Sequence, residues 1–183
     1  MIEKLFQVNL IVHYLMLGSI VFSIIQPTSR IWPPPKQQSW QFYGTWILFY
    51  SGVVLTTVLA LFTWNTWVVS SEIRFLLIGV PLALLGGAFV SWGIFSLGIK
   101  NTHGTSNGFV EHGAYQFTRN PQYLGDIVLF IGLLMVVNSL YVTILLLLQA
   151  IIFVITPFSE ELWLKEQYGN KYTEYKNRTS RFL

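Results

Sequence analysis

Along the chain, apolar and polar positions alternate in long blocks. Apolar runs occupy Leu5 to Ile25, Phe42 to Trp64 and Phe75 to Leu97, each close to the roughly 20 residues that a helix needs to cross a bilayer. A fourth apolar stretch, Ile127 to Pro157, has 31 residues and is interrupted halfway by Asn138 and Ser139. That is too long for one ordinary span. Counted from Pro121, it divides into two arms of about 17 or 18 residues, the low end of what crosses a membrane. The pattern predicts an all-α polytopic membrane protein with five transmembrane helices, helices 4 and 5 forming a hairpin. A cytosolic C-terminal helix is expected to follow.

The composition fits that pattern. Of 183 residues, 53% are apolar and only 10% charged, with a mean hydropathy of +0.54, which a soluble domain of this length rarely shows. The apolar run from Leu5 to Ile25 is too long for the core of a signal peptide, and no small-residue cleavage site follows it. It is read as a retained first helix. Without cysteine, disulfides, thiolate metal sites and a Cys nucleophile are excluded. His103 and His112 lie nine apart with no matching ligands, so no metal site is expected.

Positive charge orients the helices. With a hairpin, Arg30, Lys36, Lys100, Arg119, Lys165, Lys171, Lys176, Arg178 and Arg181 share one face, against Lys4 and Arg74 on the other. Without the hairpin the division is four against seven. The positive-inside rule therefore places the N-terminus outside and the C-terminus in the cytosol. The chain reads as a single integral-membrane domain, 1–183: a three-helix part, 1–97, then a loop, hairpin and tail, 98–183.

Two segments on the cytosolic face carry candidate chemistry. The first is the 28-residue loop from Gly98 to Gly125. Connections of that length are usually functional or disordered, and its six aromatic or His side chains between His103 and Tyr123 argue for order. Pro121 suits the first turn of the fourth helix. In the second segment, Pro157 is expected to end the membrane helix, with Ser159, Glu160 and Glu161 as the N-cap and acidic first turn of a new one. Leu164, Tyr168, Tyr172 and Tyr175 would share a face, and Gly169 would break the helix.

Each signal also has a plain reading. The acidic pair could complement a helix dipole, Arg178 and Arg181 could be topogenic anchors, and the Tyr stripe could be a docking face. His13 reads as a hydrogen-bonded packing residue, and the Trp-flanked "PPP" of residues 33–35 as a stiff interfacial crossing. Gly79, Gly86, Gly87 and Gly93 suit close helix contact. What raises the odds of a site is co-occurrence, because the hairpin brings Arg119 near Glu160 or Glu161.

The blocks "EHGAYQFTRNPQYLG" and "EELWLKEQYGNKYTEYKNRTSRF" resemble the signature of the integral-membrane methyltransferases, the isoprenylcysteine carboxyl methyltransferase and phospholipid N-methyltransferase superfamily. The resemblance covers about the last 85 residues. It implies S-adenosyl-L-methionine as cofactor, bound without a Rossmann fold; the chain has no usable G-x-G-x-x-G. Carried over by position, it implies cofactor contacts from Asn107, Gly108, Phe109, Val110, Tyr115, Asn120, Pro121, Gln122, Tyr123 and Glu160. The candidate catalytic residues are Glu161, as base or cation partner, and Arg119, more in orienting the loop than in reacting. The implied partners are the bilayer and a lipophilic small-molecule or lipid acceptor, with no nucleic acid.

Two departures matter. Asn120 stands where the family commonly has His. Prenylcysteine carboxyl methyltransferases carry an Arg four residues before the acidic pair, and here that position is Thr156. The acceptor is then expected to be a neutral or amine-bearing apolar molecule rather than a prenylcysteine carboxylate. Two other classes stay open: an NADPH-dependent sterol or steroid reductase, whose Pro-Asn-Tyr-Phe-Gly-Glu pattern is not far from "PQYLGD", and a non-catalytic lipid-binding membrane protein. Asp126 has no role in the methyltransferase reading.

Overall fold

The computed structural model describes residues 1–67, 75–105 and 107–182; Arg74, which entered the charge count, and Ser106, in the loop, lie outside the described residues. Among these, the chain is all-helical with no strand. Helix α1 spans Ile2–Ile25, α2 Trp40–Phe62, α3 Val80–Leu97, α4 Pro121–Val137 and α5 Leu140–Arg178. A π-helical turn, Phe75–Gly79, leads into α3. Four of these helices are long and apolar enough to cross a membrane, and α4, at 17 residues, is a shorter apolar helix. The protein is an integral membrane protein. In lipid a backbone must satisfy its own polar groups, and helices are how a single segment does so.

Helix ends follow local chemistry. Ser39 caps α2 by accepting a hydrogen bond from the Phe42 N–H at 3.2 Å. Pro121 occupies the first turn of α4, as expected. Asn138 closes α4 in the left-handed conformation, φ 47°, and α5 begins two residues later, so the hairpin is present and tight. Its turn is clasped by the segment after α2: Asn138 Nδ2 donates to Asn65 Oδ1 at 2.7 Å, the Trp67 N–H donates to the Asn138 carbonyl at 2.9 Å, and the hydroxyls of Thr63 and Ser139 lie 2.7 Å apart.

Helices α3 and α4 form the closest pair. Gly86, Gly125 and Gly132 bring the two backbones together, and a Cβ on Gly125 would stand 2.6 Å from the Val90 nitrogen. Small residues serve this purpose in membranes, where burial of apolar surface gives no drive toward helix association. Gly79 and Gly93 also meet α4, whereas Gly87 meets nothing within 4 Å and takes no part in the seam. His13 is buried, donates to the Asn9 carbonyl at 2.9 Å and lies against Gly52, a packing arrangement.

One expectation fails in α5. Pro157 does not end the helix, which runs from Leu140 to Arg178 with Pro157 inside it. Ser159 is not an N-cap; it is buried and its hydroxyl donates to the Trp32 carbonyl. Proline is tolerated within membrane helices where neighbours re-satisfy the freed backbone. The expected break does occur at Gly169, whose φ of 52° and ψ of −124° are non-helical.

Candidate functional site

The loop between α3 and α4 is ordered by its own polar contacts. A helical turn, Ile99–Thr102, and a 3-10 turn, Gly113–Gln116, occupy it. Asn101 stitches its middle together, donating to the Gly108 carbonyl at 3.1 Å and accepting from the Asn107 N–H at 2.6 Å. Gly104, at φ 75°, lies so close to Trp32 and Pro34 that a Cβ would stand 2.8 to 2.9 Å from their atoms. The loop is therefore docked on the α1–α2 connection.

The tail folds back over this loop. The Arg119 N–H donates to the Ser180 carbonyl at 2.9 Å, and Thr118 Oγ1 and Asn120 Nδ2 both donate to the Arg181 carbonyl at 3.0 Å. Tyr175 donates its hydroxyl proton to the Tyr115 carbonyl at 2.7 Å. Phe109 inserts among Tyr168, Tyr172 and Tyr175, with ring centroids 5.0 to 6.4 Å away. Burial and the nearby Glu160 carboxylate push the Tyr115 phenol well above its usual range. It stays a neutral hydrogen-bonding group.

The acidic pair divides between two tasks. Glu161 is held by three cations: Arg119 Nη1 at 2.9 Å, Lys176 Nζ at 3.0 Å and Arg181 Nε at 2.7 Å. The side chains of Arg119 and Glu161 are each only 9% exposed, so this pair is shielded from water. The Glu161 bond in turn raises Arg181 above its ordinary value. Such a carboxylate anchors the tail to the loop and is poorly placed to accept a further proton. Among the described residues, no cation pairs with Glu160. Tyr123 donates to its Oε1 at 2.5 Å and Trp32 Nε1 donates to the same oxygen at 2.8 Å, leaving Oε2 without a hydrogen bond to any described residue.

Between loop, α4 and α5 lies a cleft partly open to solvent, with about 850 Å³ of empty space counted together with its open mouth. Gly108, Phe109, Val110, Tyr115, Asn120, Gln122, Tyr123 and Glu160 line it, as do Arg119, Glu161 and the stripe of Leu164, Tyr168, Tyr172 and Tyr175. Two expected cofactor residues do not. Asn107 is exposed and spends its N–H on Asn101, and Pro121 is buried in the first turn of α4. Arg119 Nε is buried without a partner, a donor at the cleft wall awaiting an acceptor. Arg178 and Arg181, read from sequence as topogenic anchors, pair with Glu111 and Glu161.

A second cavity, partly open and with about 1210 Å³ of empty space counted together with its open side, lies deeper among the helices, walled by Met16, Trp46, Phe49, Tyr50, Phe153 and other residues of α1 to α5. Thr102, Gln122 and Tyr123 line both spaces and form the partition between them. Gln122 Nε2 donates to Thr102 Oγ1 at 3.1 Å and to the Tyr115 hydroxyl at 3.2 Å. Thr156 also faces this cavity, its hydroxyl donating to the Ile152 carbonyl at 2.7 Å.

Sequence reasoning missed Trp32, Asn101 and Thr102. Trp32 stands 128 positions from the carboxylate that it holds, and only its neighbourhood of three prolines hinted at a rigid mount. The cleft beneath the loop and tail and the apolar space among the helices thus lie side by side, separated by Thr102, Gln122 and Tyr123. A family model described as phospholipid methyltransferase matches residues 75–171, 97 of the 183 residues, and the chain belongs to that family. The match covers α3, the loop, α4 and α5 through Lys171, and it lies with the methyltransferases among the classes weighed from the sequence. No curated protein and no solved structure matches the chain.

Proposed function

We propose that the protein transfers a methyl group from S-adenosyl-L-methionine to a lipophilic acceptor drawn from the bilayer. In this reading the chain is a single domain with five membrane-crossing helices, α4 being the short one, and the cleft and tail face the cytosol. The observation that carries the proposal is Glu160. It is an uncompensated carboxylate with one open oxygen, aimed into a cleft of aromatic rings beside the partition.

The cleft residues suit a cationic nucleoside. Aromatic faces such as Phe109 and Tyr168 offer stacking surfaces for a purine and a favourable field for a positive charge. Glu160 Oε2 is free to accept from an ammonium or a ribose hydroxyl, and the unpaired Arg119 Nε is free to donate to a carboxylate. Bound there, the cofactor supplies a methyl carbon on a positively charged sulfur. The protein's part is alignment and exclusion of water: Tyr123 and Trp32 hold Glu160 in one orientation, Gln122 fixes the partition, and the tail covers the loop. Alignment of this kind contributes about 7–11 kcal/mol in favourable cases. Arg119 and Glu161 position the loop and tail rather than react.

Calorimetric titration of the detergent-purified protein with S-adenosylhomocysteine tests the reading. Saturable micromolar binding is expected, and its absence from folded protein would overturn the proposal. Protease-cleavable tags on each terminus, probed in sealed vesicles, test the orientation: only the N-terminal tag should be cut from outside the cell.

A further inference from the structure

We propose that Asp126 is the acceptor-binding residue of the deeper cavity, and that the acceptor it selects is a lipophilic primary amine without a phosphate group. The proposal rests on the methyltransferase reading and extends it to the identity of the acceptor. Asp126 lines the apolar cavity and makes no hydrogen bond or ion pair with any described residue. A carboxylate at this depth is costly to keep unpaired. A partner from outside the chain repays that cost only while it is bound.

The rest of the cavity says what that partner is. No Lys or Arg is among the described residues lining it, and its one basic side chain, His103, packs edge-on against Phe42 and Trp46, so a phosphate or carboxylate would meet the Asp126 carboxylate with no permanent positive charge to offset it, which selects against such groups. Its walls include Trp46, Phe49, Tyr50 and Phe153, surfaces that favour both a hydrocarbon body and a nearby cation. Thr45, on the same wall, has a buried hydroxyl with no partner, a second acceptor for an ammonium N–H. A long apolar body with one cationic head therefore matches the space, the walls and the unpaired groups together.

Position along α4 gives the arrangement a direction. Asp126 follows Tyr123 by three residues and Gln122 by four, so the three share a face, with Cβ atoms roughly 5 to 6 Å apart. An amine nitrogen held between them faces the cleft. The ammonium proton passes to the Asp126 carboxylate, exposing the nitrogen lone pair. The N–C bond then forms as the carbon–sulfur bond breaks, its electron pair remaining on sulfur. The product is the methylated ammonium, a neutral thioether and a protonated Asp126 that returns its proton to solvent.

The test uses full-length protein in detergent with three long-chain probes: dodecylamine, dodecanol and dioleoyl phosphatidylethanolamine. S-adenosylhomocysteine binding is measured alongside. Dodecylamine should be methylated and should raise the melting temperature of the cofactor-free protein, while the other two do neither. In Asp126→Asn the thermal shift should vanish and methylation should fall at least 100-fold, with S-adenosylhomocysteine affinity unchanged within twofold. Thr45→Val, which keeps the side-chain shape, should weaken the amine response about fivefold. Preference for the phospholipid, or an amine response that Asp126→Asn retains, would overturn the amine proposal and leave the methyltransferase reading standing. Failure of S-adenosylhomocysteine to bind would remove both.

Discussion

Glu160 and Glu161 are neighbours in the chain, yet they belong to different regions of the molecule. Glu161 faces the tail and is surrounded by Arg119, Lys176 and Arg181. Glu160 faces the cleft and is held only by two neutral donors on one of its oxygens. Two carboxylates one helical step apart thus become a fastener and a binding group. The difference lies in the charge inventory around each, because a carboxylate whose oxygens are saturated by cations has nothing left to offer a ligand.

The comparison breaks most visibly at Glu161. Glu161→Gln leaves a buried Arg119 without its counter-charge, which costs on the order of 3 kcal/mol; the melting temperature should fall and limited proteolysis should release the tail. Glu160→Gln should act on binding rather than on folding. It is expected to weaken S-adenosylhomocysteine about tenfold or more in calorimetry, in line with roughly 1.5 to 3 kcal/mol for hydrogen bonds to a charged group, with the melting curve little changed. Tyr123→Phe removes one of the two donors to Glu160 and should cost about fivefold in the same titration, roughly 1 kcal/mol. Lys176→Met sets the lower end, because its side chain is 46% exposed. A half-exposed pair contributes between about 0 and 1 kcal/mol, so its thermal shift should be well below that of Glu161→Gln.

The hairpin was legible because Asn138 and Ser139 interrupt an apolar run and because the charge count favours a turn there. The meeting of the two motif blocks followed from that hairpin. The roles of the two glutamates were harder to read, although a signal existed: Glu160 precedes Leu164 by four residues and so shares the face of the tyrosine stripe that lines the cleft. Pro157 misled because its local rule concerns helices in water, whereas here the membrane and the packed neighbours keep the helix continuous. Trp32 could not be found from sequence, since nothing local to residues 31–36 says that an indole will reach α5. Asp126 stood out in the sequence but acquired a role only when the cavity around it was visible.

The seam of Gly86, Gly125 and Gly132 closes the wall between α3 and α4, whereas α2 and α3, which both line the deeper cavity, make almost no contact with each other. On the proposed reading, acceptor and product then pass sideways through the bilayer while the methyl donor comes and goes through water. The rate would obey surface dilution: it would follow the mole fraction of acceptor in the membrane rather than its molarity, so that adding inert lipid slows turnover at constant total substrate.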